Sequence, residues 1–457
     1  MKINYKKYIF LIILFPLLFD NCLFREVTYY SAPTMLPDIT RVMKNSGFWI
    51  SMHPYPDKIL LTEQQVDELN LTIEKETGSV KNILSYNDNF KGKFIKKQIK
   101  ELFDYISGSK NYFSNGKLVT KDFFKDLRKN IDFNNIPDII NVKYGFTIKF
   151  TDQRIIPSSE LLSTVQRELF FDNLQMSALD IATPVVVLHK TKDDKWYFVH
   201  SANTDGWVKK EDIVLCTKEQ LKKYLTQEVF AVVTSPKCDI FFNENLTEYY
   251  DYARMGVIFP VYEKNDNEAL KIIIPYFDNE SDYIEKVAYV KNSDINIGFL
   301  DYTPRNIINQ AFKLINTPYG WGGMFGEQDC SKFLYEVFSC AGIYLPRNSS
   351  IQSKVGNIII NLKNSNDLTE EKKIQIINKK CIPGITFFRL DGHIMLYLGS
   401  IAETPYVIHS IWAYREKLPA QDRIRMINKV TVSDLSLGKN TKKGSLLERI
   451  NRINIIL

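Results

Sequence analysis

The spacing of apolar residues changes along the chain, and each change predicts a different kind of element. From Leu36 to about Phe150 the pattern is mainly helical. "TEQQVDELNLTIEKE" opens on Thr62, with Gln65 three residues on in capping-box spacing. "GKFIKKQIKELFDYI" returns to an apolar residue every third or fourth position, as a helix burying one face must. From about Ser163 the period shortens to two. "TPVVVLHK" and "KWYFVHS" read as strands split by the turn "TKDD", and "GWV" follows. "VFAVVTS", "GVIFPVYEK", "ALKIIIPYF" and "KVAYVK" repeat that signal between Asn/Asp-rich turns. Two consecutive modules of roughly 60 residues with short strands predict two small β-barrels.

From Asp301 the pattern changes again. "TPRNIINQAFKLINT" is a helix with Thr303 as cap and Pro304 at its first position. "CSKFLYEVFSCAGIYLP" sets Phe333, Leu334, Val337, Phe338 and Ala341 on one face, and Gly342 and Pro346 end it. "LKNSNDLTEEKKIQIINKK" is a charged insertion, read as a surface helix and loop. "GITFFRL" and "HIMLYLG" flank Asp391-Gly392, a two-residue hairpin turn, and "PYVIHSIW" is a further strand. Helices followed by antiparallel strands predict an α+β domain.

Length and charge narrow the classes. A chain of 457 residues exceeds one ordinary core and fits about three domains. Its 25 Tyr and 29 Phe favour β-rich structure and aromatic, ligand-facing surfaces. The net charge of +6 is spread out, with no basic run interleaved with aromatics, so nucleic acid is set aside as a partner. Lys2, Lys6 and Lys7 precede "YIFLIILFPLLF" and then "DNC", an export-signal pattern. It resembles a bacterial lipoprotein signal in which Cys22 is lipidated, although Asn21 stands where a small residue is usual. A lipid on Cys22, a plainly cleaved signal and a retained anchor all export the chain to the cell envelope. Cys216, Cys238, Cys340 and Cys381 are far apart without a CxxC, which favours packed thiols over a disulfide framework. With neither HExxH nor a close His/Asp/Cys cluster, no metal or other cofactor is expected. His53 reads as a surface-loop residue, and His189 and His200 as strand residues without a catalytic role.

One cysteine has a special neighbourhood. In "PYGWGGMFGEQDCSKFLY", Cys330 begins a helix, where the dipole and free N–H groups favour a thiolate. A thiol nucleophile also needs a base and a group to orient that base. His393 follows the tight turn and His409 lies on the next strand; antiparallel neighbours bring such residues side by side. The alternative is that His393 caps a hairpin and His409 is core.

"PYGWGG", "DCSKFLYEVF", "YLPRNSSIQ", "PGITFF", "GHIMLYLG" and "VIHS" occur in the order of, and resemble, the NlpC/P60 family of cell-wall cysteine peptidases. "SGFWISMHPYPDKILLTEQQVDELN", the "FDNLQMSALDIATPVVVLH…GWV" module and "RMGVIFPV" resemble its larger form. The resemblance implies a multidomain α+β chain. Residues 1–22 would be the signal, 30–160 a helical stabilising domain, 161–222 and 223–298 two bacterial SH3-like barrels, 299–430 a papain-like peptidase domain, and 431–457 a tail. It further implies Cys330 as nucleophile, His393 as base, His409 as orienting residue and Tyr319 as an oxyanion donor beside the Cys330 N–H. Asp329, Ser331, Ser349 and Trp321 would face substrate, Asp329 through an α-ammonium group; the alternative for Asp329 is a helix cap. The implied activity is that of a monomeric γ-D-glutamyl-diamino acid endopeptidase on peptidoglycan stem peptides with a free L-Ala. An inactive wall-peptide-binding protein and a thiol amidase or acyl transferase are the alternatives. The chain departs from the pattern at Gly384-Ile385, and at Asn203, Thr204 and Asp205, where a substrate-clamping tyrosine is usual.

Overall fold

The computed structural model describes residues 28–108, 110–263, 268–278 and 282–457; the leader with Cys22 lies outside them. Local signals fold as expected. Thr62 accepts from the Gln65 N–H and Gln65 returns the bond, capping the helix Glu63–Thr77. Thr303 caps Pro304–Lys313 by accepting from Asn306. Asp391 and Gly392 join the strands Thr386–Leu390 and His393–Ile401, with Leu390 paired to His393 and Gly392 at φ 80°. No helix among the described residues is long and apolar enough to cross a membrane.

Three seven-stranded sheets carry the architecture. The first two are antiparallel throughout, spanning Lys143 to Cys216 and Phe230 to Ile297. The third is antiparallel apart from the edge strand Tyr29–Ser31, which runs parallel to Arg423–Asp434. Against this third sheet packs the helix Cys330–Ser339, whose Phe333, Leu334, Val337 and Phe338 are fully buried.

Four features differ from the sequence expectation. The segment expected as one helical domain is shared between two cores. Leu36, Met43, Trp49, Ile50, Val66, Leu69 and Ile73 join the core of the third sheet. Ile83, Ile95, Ile99, Phe103, Ile131 and Ile140 join that of the first two. Periodicity reveals an apolar helical face but not the surface that covers it. The first sheet also begins at Lys143–Thr147, ahead of the expected boundary at 161. Finally, residues 431–457 are no tail. Arg423–Asp434 continues past 430, and Arg452–Ile455 lies inside the third sheet between Thr386–Leu390 and Asn357–Asn361. Ile453 and Ile456 are fully buried, so this end of the chain closes the core. His53 differs too: it is only 8% exposed, because its loop folds inward and its Nδ1 accepts from the Tyr55 N–H.

Both barrel-like sheets are pinned to the Cys330 helix by buried charges. Arg254, on the second sheet, pairs with Glu336 and donates to the Glu327 carbonyl at 2.7 Å. Lys332 pairs with Asp180, beside the first sheet, at 3.3 Å. Asp180 also accepts from the Arg254 N–H at 3.2 Å. Burial pushes the Glu336 carboxyl up to about 7 against the pull of Arg254 and Lys332. Removing one partner of such a pair leaves a buried charge unmet, at a cost of about 3–5 kcal/mol. Arg254→Met is therefore expected to lower stability by that order in urea unfolding, and Arg254→Met with Glu336→Leu to recover most of it.

Candidate active site

The site is assembled by register. Leu396 pairs with Ile408, so one step further Met395 faces His409 and His393 is the diagonal neighbour on the same face. On the other side His409 pairs with Thr431 and Val407 with Ser433, which makes Ser433 the opposite diagonal neighbour. His393, His409 and Ser433 thus step across three adjacent strands. His393 Nε2 lies 2.8 Å from His409 Nδ1, and His409 Nε2 lies 3.2 Å from Ser433 Oγ. This leaves His393 Nδ1 as the ring atom for the thiol. The Ile394 N–H, one residue on, is directed at Cys330.

Asp329 caps the helix. Its Oδ1 accepts from the N–H groups of Ser331 at 3.1 Å and Lys332 at 2.9 Å, and from Ser331 Oγ at 3.0 Å. Oδ2 accepts from Gly322 at 3.1 Å. Arg347 spans both oxygens, at 3.0 Å and 2.6 Å, and reaches Ser331 Oγ at 2.9 Å and Ser177 Oγ at 3.1 Å. Burial opposes the Asp329 charge, but Arg347 and these donors prevail and hold its carboxyl below the usual range. Asp329 is thus the helix cap, and it already has a cation of the protein, Arg347, against it.

The pull of the helix N-terminus toward a thiolate meets opposition at Cys330. Burial first, then the Asp329 charge, push the Cys330 thiol up to about 12. A helix dipole contributes about 0.3–1 kcal/mol at its first turn, too little to offset both. Burial, then the nearby Arg449 and Lys443, push the His393 imidazole down to about 3. His409 is lowered as well, by burial and by His393. All three shifts favour the neutral forms, a thiol beside two uncharged imidazoles.

Tyr319 lies beside this centre. Burial, Cys330 and Asp329 raise its phenol, which keeps it a neutral donor. The Cys330 N–H, at the first helical position, has no partner within the helix. Trp321 is 41% exposed and donates from Nε1 to the Asp172 carbonyl at 3.1 Å. Ser331 is buried, and its carbonyl accepts from Gln352 Nε2 at 2.8 Å. Ser349 begins the short helix Ser349–Gln352, and it is its neighbour Arg347 that reaches the centre.

The glycine loop ahead of Cys330 packs against the first sheet. Gly322 and Gly323 run so close to the strand Gln175–Leu179 that a Cβ on either would come within 2.7 Å of Gln175 or Ala178. Both have positive φ, 60° and 89°, so glycine is required twice over. Just before that strand, Phe171 packs on Trp321 at 5.5 Å, Trp412 at 5.0 Å and Tyr319 at 6.4 Å between ring centroids. Sequence reasoning missed four contributors: Arg347, Ser433, Phe171 and Trp412. Arg347 carried a signal, in "PRNSS". Ser433 lay in an alternating stretch, "KVTVSD", beyond the boundary drawn at 430. The five described cysteines are all unpaired, Cys238, Cys330 and Cys340 buried and Cys216 and Cys381 half-buried. No group of three or more His, Cys, Asp or Glu among the described residues is placed to hold a metal.

A cysteine at the start of a helix packed on a sheet, with two histidines hydrogen-bonded on neighbouring strands, makes an α+β thiol site. Residues 316–422 match the NlpC/P60 family, and residues 166–209 match an SH3 domain of the SH3b1 type. The second sheet and the helices ahead of the first lie outside these matches. Two curated relatives are named gamma-D-glutamyl-L-lysine dipeptidyl-peptidase. The Bacillus subtilis (strain 168) protein is 27% identical over 107 residues, 21% of this chain and 36% of its own. The Bacillus cereus (strain ATCC 10987 / NRS 248) protein is 25% identical over 207 residues, 42% of this chain and 59% of its own. The chain thus spans less than two thirds of the length of either. A solved structure, of a novel NlpC/P60 endopeptidase from Photobacterium damselae subsp. piscicida, shares the fold. Its TM-score is 0.74 at 20% identity, covering 94% of this chain and 99% of that one.

The neutral thiol gives a direct test. Because its pKa is raised, alkylation of Cys330 by iodoacetamide in the free protein is expected to climb steadily from pH 6 to pH 10. A rate already level from pH 6, the mark of a resting thiolate, would contradict the assignment.

Proposed function

We propose that the protein is a thiol endopeptidase of peptidoglycan stem peptides, cutting between γ-D-Glu and the following diamino acid. The observation that carries this is the Cys330, His393 and His409 constellation, with its 2.8 Å histidine pair. The printed activity of the two Bacillus relatives supports the bond chosen. The strand Gln175–Leu179 and Phe171 close one side of the cleft, which favours short, released peptides over glycan-linked ones. Export, with attachment through Cys22, belongs to the same proposal and rests on the leader.

The chemistry follows from the geometry. Cys330 Sγ attacks the γ-carbonyl carbon while His393 Nδ1 takes the thiol proton, so charge moves only as the bond forms. The Cys330 N–H and the Tyr319 hydroxyl are the donors for the developing oxyanion. His393 then returns the proton to the leaving amine, and a thioester of L-Ala-D-Glu remains. Water, activated by His393, hydrolyses it and restores the thiol.

L-Ala-γ-D-Glu-diaminopimelate and its L-Lys analogue are expected to yield L-Ala-D-Glu and free diamino acid, read by mass. Cys330→Ala should lower the rate by about 10³-fold or more with the unfolding midpoint unchanged. Binding of the tripeptide without cleavage would leave a wall-peptide-binding protein instead. For the cleft wall, Phe171→Ala is expected to raise cleavage of glycan-linked peptide relative to free tripeptide; an unchanged ratio would remove Phe171 from selection.

A further inference from the structure

The hydrogen-bonded line does not stop at His409. Ser433 is 1% exposed and His409 is fully buried, so water has little access to either. Each neutral imidazole carries one N–H and one bare nitrogen. Two proton arrangements satisfy the line from His393 Nε2 to His409 Nδ1 and from His409 Nε2 to Ser433 Oγ. In one, the Ser433 hydroxyl donates to His409 Nε2, and His409 donates from Nδ1 to His393 Nε2. The remaining proton of His393 is then forced onto Nδ1, where it blocks uptake of a proton from the thiol. In the other, His393 donates from Nε2 to His409 Nδ1, and His409 donates from Nε2 to Ser433 Oγ. His393 Nδ1 is then bare and can act as a base. Once it has taken the thiol proton, both His393 nitrogens are N–H, and only this second arrangement still gives Nε2 an acceptor.

We propose that Ser433 is a positioning residue of the thiol site: its Oγ accepts the His409 Nε2 proton in the arrangement that leaves His393 Nδ1 free. The inference rests on reading Cys330 and His393 as nucleophile and base. A hydroxyl suits the place because it accepts without adding charge to a buried line. A carboxylate there would have to be desolvated without a cation. The other charged or titratable groups facing the centre are Asp329, Arg347 and Tyr319 around the thiol, and Lys443 and Arg449 on the His393 side. Ser433 variants leave all of them in place.

The experiment uses the full chain and follows alkylation at Cys330 by peptide mapping, from pH 6 to pH 10, with kcat and KM on the tripeptide. Ser433→Ala is expected to slow alkylation about tenfold at pH 7. The gap should close toward pH 10, where hydroxide removes the thiol proton without help. kcat should fall while KM holds, and Ser433→Thr, which keeps the hydroxyl, should restore both profiles. Wild-type behaviour of Ser433→Ala at pH 7 overturns the proposal, as does a deficit equal at every pH, the mark of a merely structural defect. If Ser433→Thr unfolds, as its melting midpoint would show, the pH profile of Ser433→Ala decides alone. A wild-type protein that leaves the tripeptide intact but shows the pH-dependent gap would retire the substrate reading and retain the role of Ser433.

Discussion

The Asp329 carboxylate holds together parts of the chain that are distant in sequence. It caps the Cys330 helix, receives the Gly322 N–H of the glycine loop, and binds Arg347, which in turn reaches Ser177 on the first sheet. A buried carboxylate is costly without partners, and this one has N–H and guanidinium donors on both oxygens and a hydroxyl donor on one. The position of the thiol, the path of the loop bearing Tyr319 and the seating of the first sheet are therefore coupled. The same charge acts on the chemistry, since it stands beside Cys330 and raises the thiol.

What was legible in the sequence was local. Thr62 with Gln65, Thr303 with Pro304, and Asp391 with Gly392 act on neighbours within three residues, so their effect is written in the spacing. The Cys330 helix and the two histidine strands were legible for the same reason, and their order carried the family resemblance. What was not legible depends on partners far along the chain. Asp329 reads equally as a cap or a free anion until Arg347 is seen against it. Ser433 is an ordinary polar residue of an alternating strand until register sets it diagonal to His409. The helices before Lys143 show apolar faces, but only packing reveals that Ile50 and Ile95 belong to different cores. The last strand, Arg452–Ile455, was too short to stand out, yet it joins two others within the third sheet.

The two barrel-like sheets are more than appendages on the thiol domain. Asp180 and Arg254 enter one buried charge cluster with Lys332 and Glu336, one and two turns into the Cys330 helix. The two sheets help bury those helix charges, so each has to be met by a partner across the contact, as Asp180 and Arg254 do. The glycine pair fixes the distance on the other flank, because any side chain there would push the first sheet away. The seating of the glycine loop is thus set by its contact with the first sheet as well as by the thiol domain.

Burial decides how the site can work. It raises the thiol and lowers both imidazoles, so an ion pair between Cys330 and His393 is disfavoured in the resting protein. A neutral line of thiol, two imidazoles and a hydroxyl satisfies the same burial without isolating a charge. Under the proposed mechanism, proton transfer is most favourable when an acyl oxygen is present to receive the electrons and the Cys330 N–H and Tyr319 are there to meet it. The positive charge left on His393 lies near Asp329, the one group there that favours it, while Arg449 and Lys443 oppose it. A centre of this kind rests without a buried charge and draws its strongest activation from a carbonyl seated beside the thiol.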